Sequence, residues 1–213
     1  MSTVACAASS IAAALLLMAA ASPWDRLPSV TISGPDGDSR IRAAQDAVAF
    51  WNRTLAGIGS GFRFGPIRCV DSVVPDDYLK SLSNRILRWG AYPRFPDYIN
   101  AIPGDVLLVL SAGDFVSFSI GSEDAGKVLV AVKSDQYYPL DLSNVARNVI
   151  AHELGHAIGL DHNSDPATLM CGRPAECRPD LYHEDAERFF PVTREEKDLL
   201  LRMYPASWRP RHP

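Results

Sequence analysis

The chain has no excess of positive charge, few cysteines and no apolar run long enough to cross a bilayer. Its 21 basic side chains are outnumbered by 25 acidic ones, giving a net charge of −4 over 213 residues. Without a basic footprint there is no surface suited to a phosphate backbone, so nucleic-acid binding is not expected. The apolar run 11–21 falls short of the about 20 residues that a spanning helix needs. Hydrophobic residues make up 47% and charged ones 22%, which excludes the composition of a disordered chain. No repeat, linker or low-complexity insert divides the sequence. Its length fits one domain, large enough to bury a core without staples.

The run IAAALLLMAAA is too short to span but suits the core of a secretory signal peptide. Ala19-Ala20-Ala21 supplies the small-residue cleavage site. Residues 1–21 are therefore read as a signal peptide and 22–213 as a single domain, although the first residues carry no Lys or Arg. Val4-Ala5-Cys6 precedes the apolar run instead of following it, so lipidation is not expected. The mature protein would be secreted, extracellular or periplasmic, with no membrane attachment. Signal removal takes Cys6 and leaves Cys69, Cys171 and Cys177. A local disulfide between Cys171 and Cys177 is expected in an oxidising compartment. Cys69 is then left unpaired; the alternative is that it pairs with one of those two while the other stays free. A cysteine–zinc site lacks the second close pair that it would need.

Hydrophobic periodicity lays out the rest. Residues 28–33 read as a short strand, stopped by the turn cluster Gly34-Pro35-Asp36-Gly37. Ile41, Ala44, Val48, Trp51, Leu55 and Ile58 recur at helical steps. Asp38 or Ser39 can cap that helix, and Gly57 and Gly59 can end it. The glycosylation sequon at Asn52 falls in mid-helix and is read as chance. Residues 62–70 are expected as a second strand, with Cys69 in the core. Pro75-Asp76-Asp77 opens a helix carrying Leu79, Leu82, Ile86 and Trp89, and 90–104 reads as an ordered loop. The continuous apolar run 105–111 predicts a buried central strand. Strands are expected at 115–120 and 128–132, then a helix over 143–160 and a Gly/Pro/Cys-rich loop over 163–191. Thr193-Arg194-Glu195-Glu196 is a capping box that opens the last helix. The pattern is α+β.

One stretch is chemically explicit: His152-Glu153-Leu154-Gly155-His156-Ala157-Ile158-Gly159-Leu160-Asp161-His162. His152 and His156 lie one turn apart, so both imidazoles leave the same helix face and can share a zinc ion. A straight helix would carry a third ligand past the metal. Gly159 can adopt left-handed angles, end the helix and let His162 swing back as that ligand. Three protein nitrogens leave a position open for water, as catalytic zinc sites do and closed structural ones do not. Glu153 sits round the helix from the first ligand. It can reach the zinc-bound water as general base and pass the proton to a leaving amine. Asp161 is assigned no catalytic role, and His183 and His212 read as surface residues.

HExxHxxGxxH resembles the signature of the metzincin zinc metallopeptidases, and Ala167-Thr168-Leu169-Met170 is similar to their methionine turn. Gly172 stands where some metzincins have an additional tyrosine ligand, and Leu160-Asp161-His162 resembles the matrixin ending. The resemblance implies a zincin fold: a mostly parallel twisted sheet with an active-site helix and a carboxy-terminal helix. It implies a catalytic Zn2+ held by His152, His156 and His162, with Met170 as an apolar floor. It implies an endopeptidase acting on polypeptides, and we expect a monomer. No histidine precedes His152, so a second zinc of the matrixin kind is not expected. Arg68-Cys69-Val70 lacks the pattern of a cysteine switch. Calcium could bind at Glu123, Asp124, Asp135 or Asp141. An extended peptide could lie along an edge strand, for which 115–120 is the candidate rim. The alternative is a zinc-bearing secreted binding module without catalysis, against which the base Glu153 argues.

Overall fold

The structure, a computed structural model, describes residues 24–89, 93–122, 126–172 and 187–211. The expected signal peptide (1–21), Cys6, Cys177, Glu123, Asp124, His183 and His212 lie outside the described residues.

Two continuous apolar strands set the layout. β3 (Val106–Leu110) and β5 (Val128–Val132) are buried at every position, as strands are when both faces of a sheet are covered. With β1 (Val30–Ser33), β2 (Ile67–Val70) and β4 (Phe118–Gly121) they form a five-stranded sheet in the order β2-β1-β3-β5-β4. All neighbours are parallel except β4, which runs antiparallel to β5 at one edge.

Alternation along the strands feeds two cores. Val106, Leu108 and Leu110, with Val128, Val130 and Val132, point to the face covered by α1 (Arg40–Gly57) and α4 (Ser143–Ala157). Leu107, Val109, Leu129 and Ala131 point the other way. They meet Leu79 and Leu82 of α2 (Asp76–Trp89) and Ile99 of α3 (Asp97–Asn100). Each Val, Leu or Ile side chain so removed from water contributes roughly 1.5–3 kcal/mol against the entropy of ordering the chain. A fifth helix, α5 (Arg194–Met203), closes the described chain with the expected capping box: Oγ1 of Thr193 accepts from the Glu196 amide at 3.1 Å, and Oε2 of Glu196 accepts from the Thr193 amide at 2.8 Å.

Helix α1 is capped by Asp38, whose Oδ1 accepts from the Arg40 amide at 2.8 Å; Ser39 makes no side-chain cap. Arg40 is buried, so its charge needs compensation. It pairs with Asp38 at 2.6 Å, and Nη1 donates to the Lys133 carbonyl and Nη2 to the Ser111 carbonyl.

Three expectations need correction. Cys69 is not in the core: among the described residues β2 pairs with β1 alone, and Cys69 is an exposed, free thiol on that edge strand. The second strand is also shorter than expected, because Phe62 and Phe64 are buried outside any strand. Phe62 stacks on Tyr204 at 4.2 Å, and the backbone of Phe64 is held by the Asn52 amide (N–H to Oδ1 2.8 Å, Nδ2 to O 3.2 Å). The loop expected over 90–104 contains α3, whose first turn follows Pro96. Among the described residues, no helix is long and apolar enough to cross a membrane.

Candidate metal centre

Helix α4 is buried on several sides, with Ile150, Ala151, Leu154 and Ala157 in the first core. It packs along α1, where Nε1 of Trp51 donates to the Ala151 carbonyl at 2.8 Å. The remaining stripe of α4 carries His152 and His156, both half-buried. At Gly159, φ is +96°, a conformation that strains any residue with a Cβ. The amide of Gly159 bonds the His156 carbonyl at 3.0 Å, and the amide of Leu160 bonds the Gly155 carbonyl at 3.1 Å. These two bonds are a Schellman ending. It turns the chain so that His162, on the loop beyond, comes back beside the helix.

The three rings converge. Nε2 of His152 lies 3.1 Å from Nε2 of His156 and 3.1 Å from Nε2 of His162; the third side of the triangle is 3.0 Å. Nδ1 of His152 faces the Leu169 carbonyl at 2.8 Å, and Nδ1 of His156 faces the Leu160 carbonyl at 2.7 Å. A carbonyl only accepts, so both rings carry their proton on Nδ1 and turn the Nε2 lone pair inward. Facing lone pairs with no proton between them repel, so this arrangement suits a shared cation. In a tetrahedral site with legs of about 2.0–2.1 Å, two nitrogens stand about 3.3 Å apart. The donors therefore fit zinc in type, number and spacing. Burial first and the neighbouring His162 second hold the His156 imidazole down at about 4, with the bond to Leu160 opposing them.

Glu153 follows the first ligand on α4 and is 7% exposed. Met170 is wholly buried in the first core, where its sulfur lies against Gly155. A Cβ on Gly155 would stand 2.5 Å from Sδ of Met170 and 2.9 Å from Cζ2 of Trp51. The absence of a side chain at 155 thus lets the methionine turn reach the helix backbone.

Several supports escape sequence inspection. Nε1 of Trp24 donates to the Ala157 carbonyl at 2.8 Å, and the Tyr204 hydroxyl donates to the Ile158 carbonyl at 3.1 Å. Both carbonyls belong to the unpaired end of α4. Burial pushes the Tyr204 hydroxyl up to about 12, against a hydrogen bond from the Trp24 backbone, so it stays a donor. After His162, the Asn163 amide bonds the Met170 carbonyl at 2.8 Å and the Gly172 amide bonds the Asn163 carbonyl at 2.9 Å. The Asn163 side chain reaches Glu196 on α5. Repeated polar side chains after the motif hint at such a closure, but not at its partners.

The calcium expectation gains no support. Among the described residues, the three histidines are the group that gathers round a point. Asp135 turns to Arg40 at 3.7 Å instead, and Asp141 is exposed. Cys171 is buried beside Met170, and its expected partner Cys177 lies outside the described residues.

The sequence model of the matrixin family matches residues 117–186, which contain the whole metal centre. This part of the chain is matrixin-like. The metal that this likeness implies at the three histidines is zinc. No curated protein sequence matches the chain. Among solved structures, metalloproteinase-II from Bacteroides fragilis overlaps 86% of this chain and 54% of its own, at 14% identity and a TM-score of 0.49. The chain thus spans about half the length of that protein. Archaemetzincin from Methanopyrus kandleri overlaps 84% of this chain and 96% of its own, at 15% identity and a TM-score of 0.42. A zinc-dependent peptidase from Methanocorpusculum labreanum overlaps 80% and 99%, at 14% identity and a TM-score of 0.39.

Proposed function

We propose that the protein is a secreted zinc-dependent endopeptidase. The observation that carries this reading is the triangle of inward-facing Nε2 atoms, 3.0–3.1 Å apart, with a buried glutamate next in sequence to the first of them. His152, His156 and His162 would hold the ion. When bound, zinc supplies a Lewis acid that polarises the scissile carbonyl and lowers the pKa of water to about 7. Glu153 takes the proton as water attacks that carbonyl, then delivers it to the departing amine nitrogen. Met170, buried against Gly155 of α4, would serve as the apolar floor of the site, and the Leu169 and Leu160 carbonyls would hold two rings in the metal-binding tautomer.

An extended polypeptide fits the outer edge of β4, the antiparallel strand that ends the sheet on the side against which α4 packs. Main-chain hydrogen bonds along an edge give affinity without fixing sequence, which suits an endopeptidase. The apolar run 11–21 with its small-residue exit supports export, and the close spacing of Cys171 and Cys177 suits a disulfide formed there.

The test is Glu153→Gln with zinc content and hydrolysis of an unfolded protein measured together. The expected result is full zinc and a loss of roughly 100-fold or more in rate, the scale of general acid–base catalysis. A variant that hydrolyses as well as the parent overturns the role of Glu153. A parent that binds zinc and cleaves no peptide is the non-catalytic binding module.

A further inference from the structure

His152 and His156 are fixed by a helix and by carbonyls at their Nδ1 atoms, whereas His162 rides on an exposed loop. Something must hold that loop if the third nitrogen is to stay 3.0 Å from the second. The next residue does the holding. Asn163 gives its backbone amide to Met170 and takes one from Gly172, which ties the arm to the methionine turn. Its Oδ1 accepts the Asp165 amide at 2.8 Å. Its two Nδ2 hydrogens go to Oγ1 of Thr168 at 2.9 Å and to Oε1 of Glu196 at 2.5 Å. Every polar atom of Asn163 is thereby committed, and rotating the amide would set donor against donor.

Glu196 lies 33 positions further along the chain, is 7% exposed and is locked in turn. Its second oxygen accepts the Thr193 amide in the capping box of α5. A buried carboxylate fixed by a helix start is a stiff anchor, and a charge-assisted bond to an amide is among the stronger hydrogen bonds. We propose that Glu196 is a positioning residue for the third metal ligand, acting through Asn163, so that α5 sets where the His162 nitrogen stands. This rests on the metal-centre reading above. Outer partners of this type typically change metal affinity by about 10–100-fold when removed.

A donor–acceptor exchange tests it. In Asn163→Asp two carboxylates face each other. In Glu196→Gln the introduced side-chain oxygen can keep the capping box, but its amide meets the Asn163 amide. In the double variant N163D/E196Q, the introduced glutamine amide can donate to the introduced aspartate carboxylate, and the bond is remade with its polarity reversed.

Zinc affinity by competition with a chromophoric chelator, the visible spectrum of the cobalt-loaded protein and the melting temperature are read on all four proteins. The expected result is a loss of about tenfold or more in zinc affinity and an altered cobalt spectrum in each single variant, with recovery of both in the double. If N163D does not fold, E196Q against the double variant carries the same comparison. Single variants that melt lower yet keep the parent's zinc affinity and cobalt spectrum overturn the proposal, because Glu196 then serves the fold alone. So does a double variant no better than E196Q. A parent that takes up no zinc overturns the metal-centre reading beneath it, a result that no variant can mimic.

Discussion

Gly155 and Met170 are packed more closely than any side chain at 155 would permit, with a built Cβ only 2.5 Å from the methionine sulfur. Alanine in place of Gly155 gains up to about 1 kcal/mol of helix propensity. It must also displace Met170 or Trp51, both wholly buried, and overpacking of that kind costs about 1–3 kcal/mol. The expected net effect of Gly155→Ala is a loss of stability, read as a lower urea midpoint. A midpoint at or above the parent's would contradict the packing described.

Gly159 carries a heavier burden, because its φ of +96° both ends α4 and aims the third ligand. Gly159→Ala forces an L residue into that region at a cost of about 1–2 kcal/mol. The expected outcome is a lower melting temperature together with weaker zinc binding in a chelator titration. If only one of the two changes, the bend and the ligand are not coupled as proposed.

Acid should weaken the metal-free fold through His156. Its folded value near 4 lies below that of an unfolded histidine near 6.5, so the unfolded chain takes up the proton first. The folded state is therefore favoured above about pH 6.5. That advantage is lost as pH falls towards 4 and changes no further below it, at most roughly 3 kcal/mol in all. Urea unfolding of the metal-free protein and of His156→Leu across this range isolates the contribution. Parallel profiles for the two proteins would rule it out.

Two side chains close the end of α4 from outside the helix. Trp24→Phe and Tyr204→Phe each remove one donor and leave a carbonyl of Ala157 or Ile158 without it. Orphaning a buried acceptor costs about 1–3 kcal/mol, so each variant is expected to unfold at lower urea. Exchange of the amides in the last turn of α4 should also quicken. An unchanged midpoint in both would mean that water replaces the lost donors.

The convergence of the three histidines is legible because its geometry is local: one helical turn and one glycine separate them. The buried strand β3 is legible for a similar reason, since a continuous run of Val and Leu suits a strand covered on both faces. Cys69 shows where such reading stops. Whether Ile67–Val70 is central or at an edge depends on the strand order, and that is set by crossovers which strand composition does not encode. Phe62 has the apolar character of a strand residue but stacks on Tyr204, far away in sequence. Asp135 reads as a free carboxylate until Arg40 is found beside it. The Asn163–Glu196 contact joins the segment after His162 to a helix 33 positions further along the chain, and no periodicity announces a pairing over that span.

The two hydrophobic cores lie on either side of the sheet, and His152, His156 and His162 belong to neither. Small zinc modules collapse only around their metal, whereas the apolar burial in this chain does not draw on its imidazoles. Losing one ligand histidine should therefore cost metal binding more than it costs the fold.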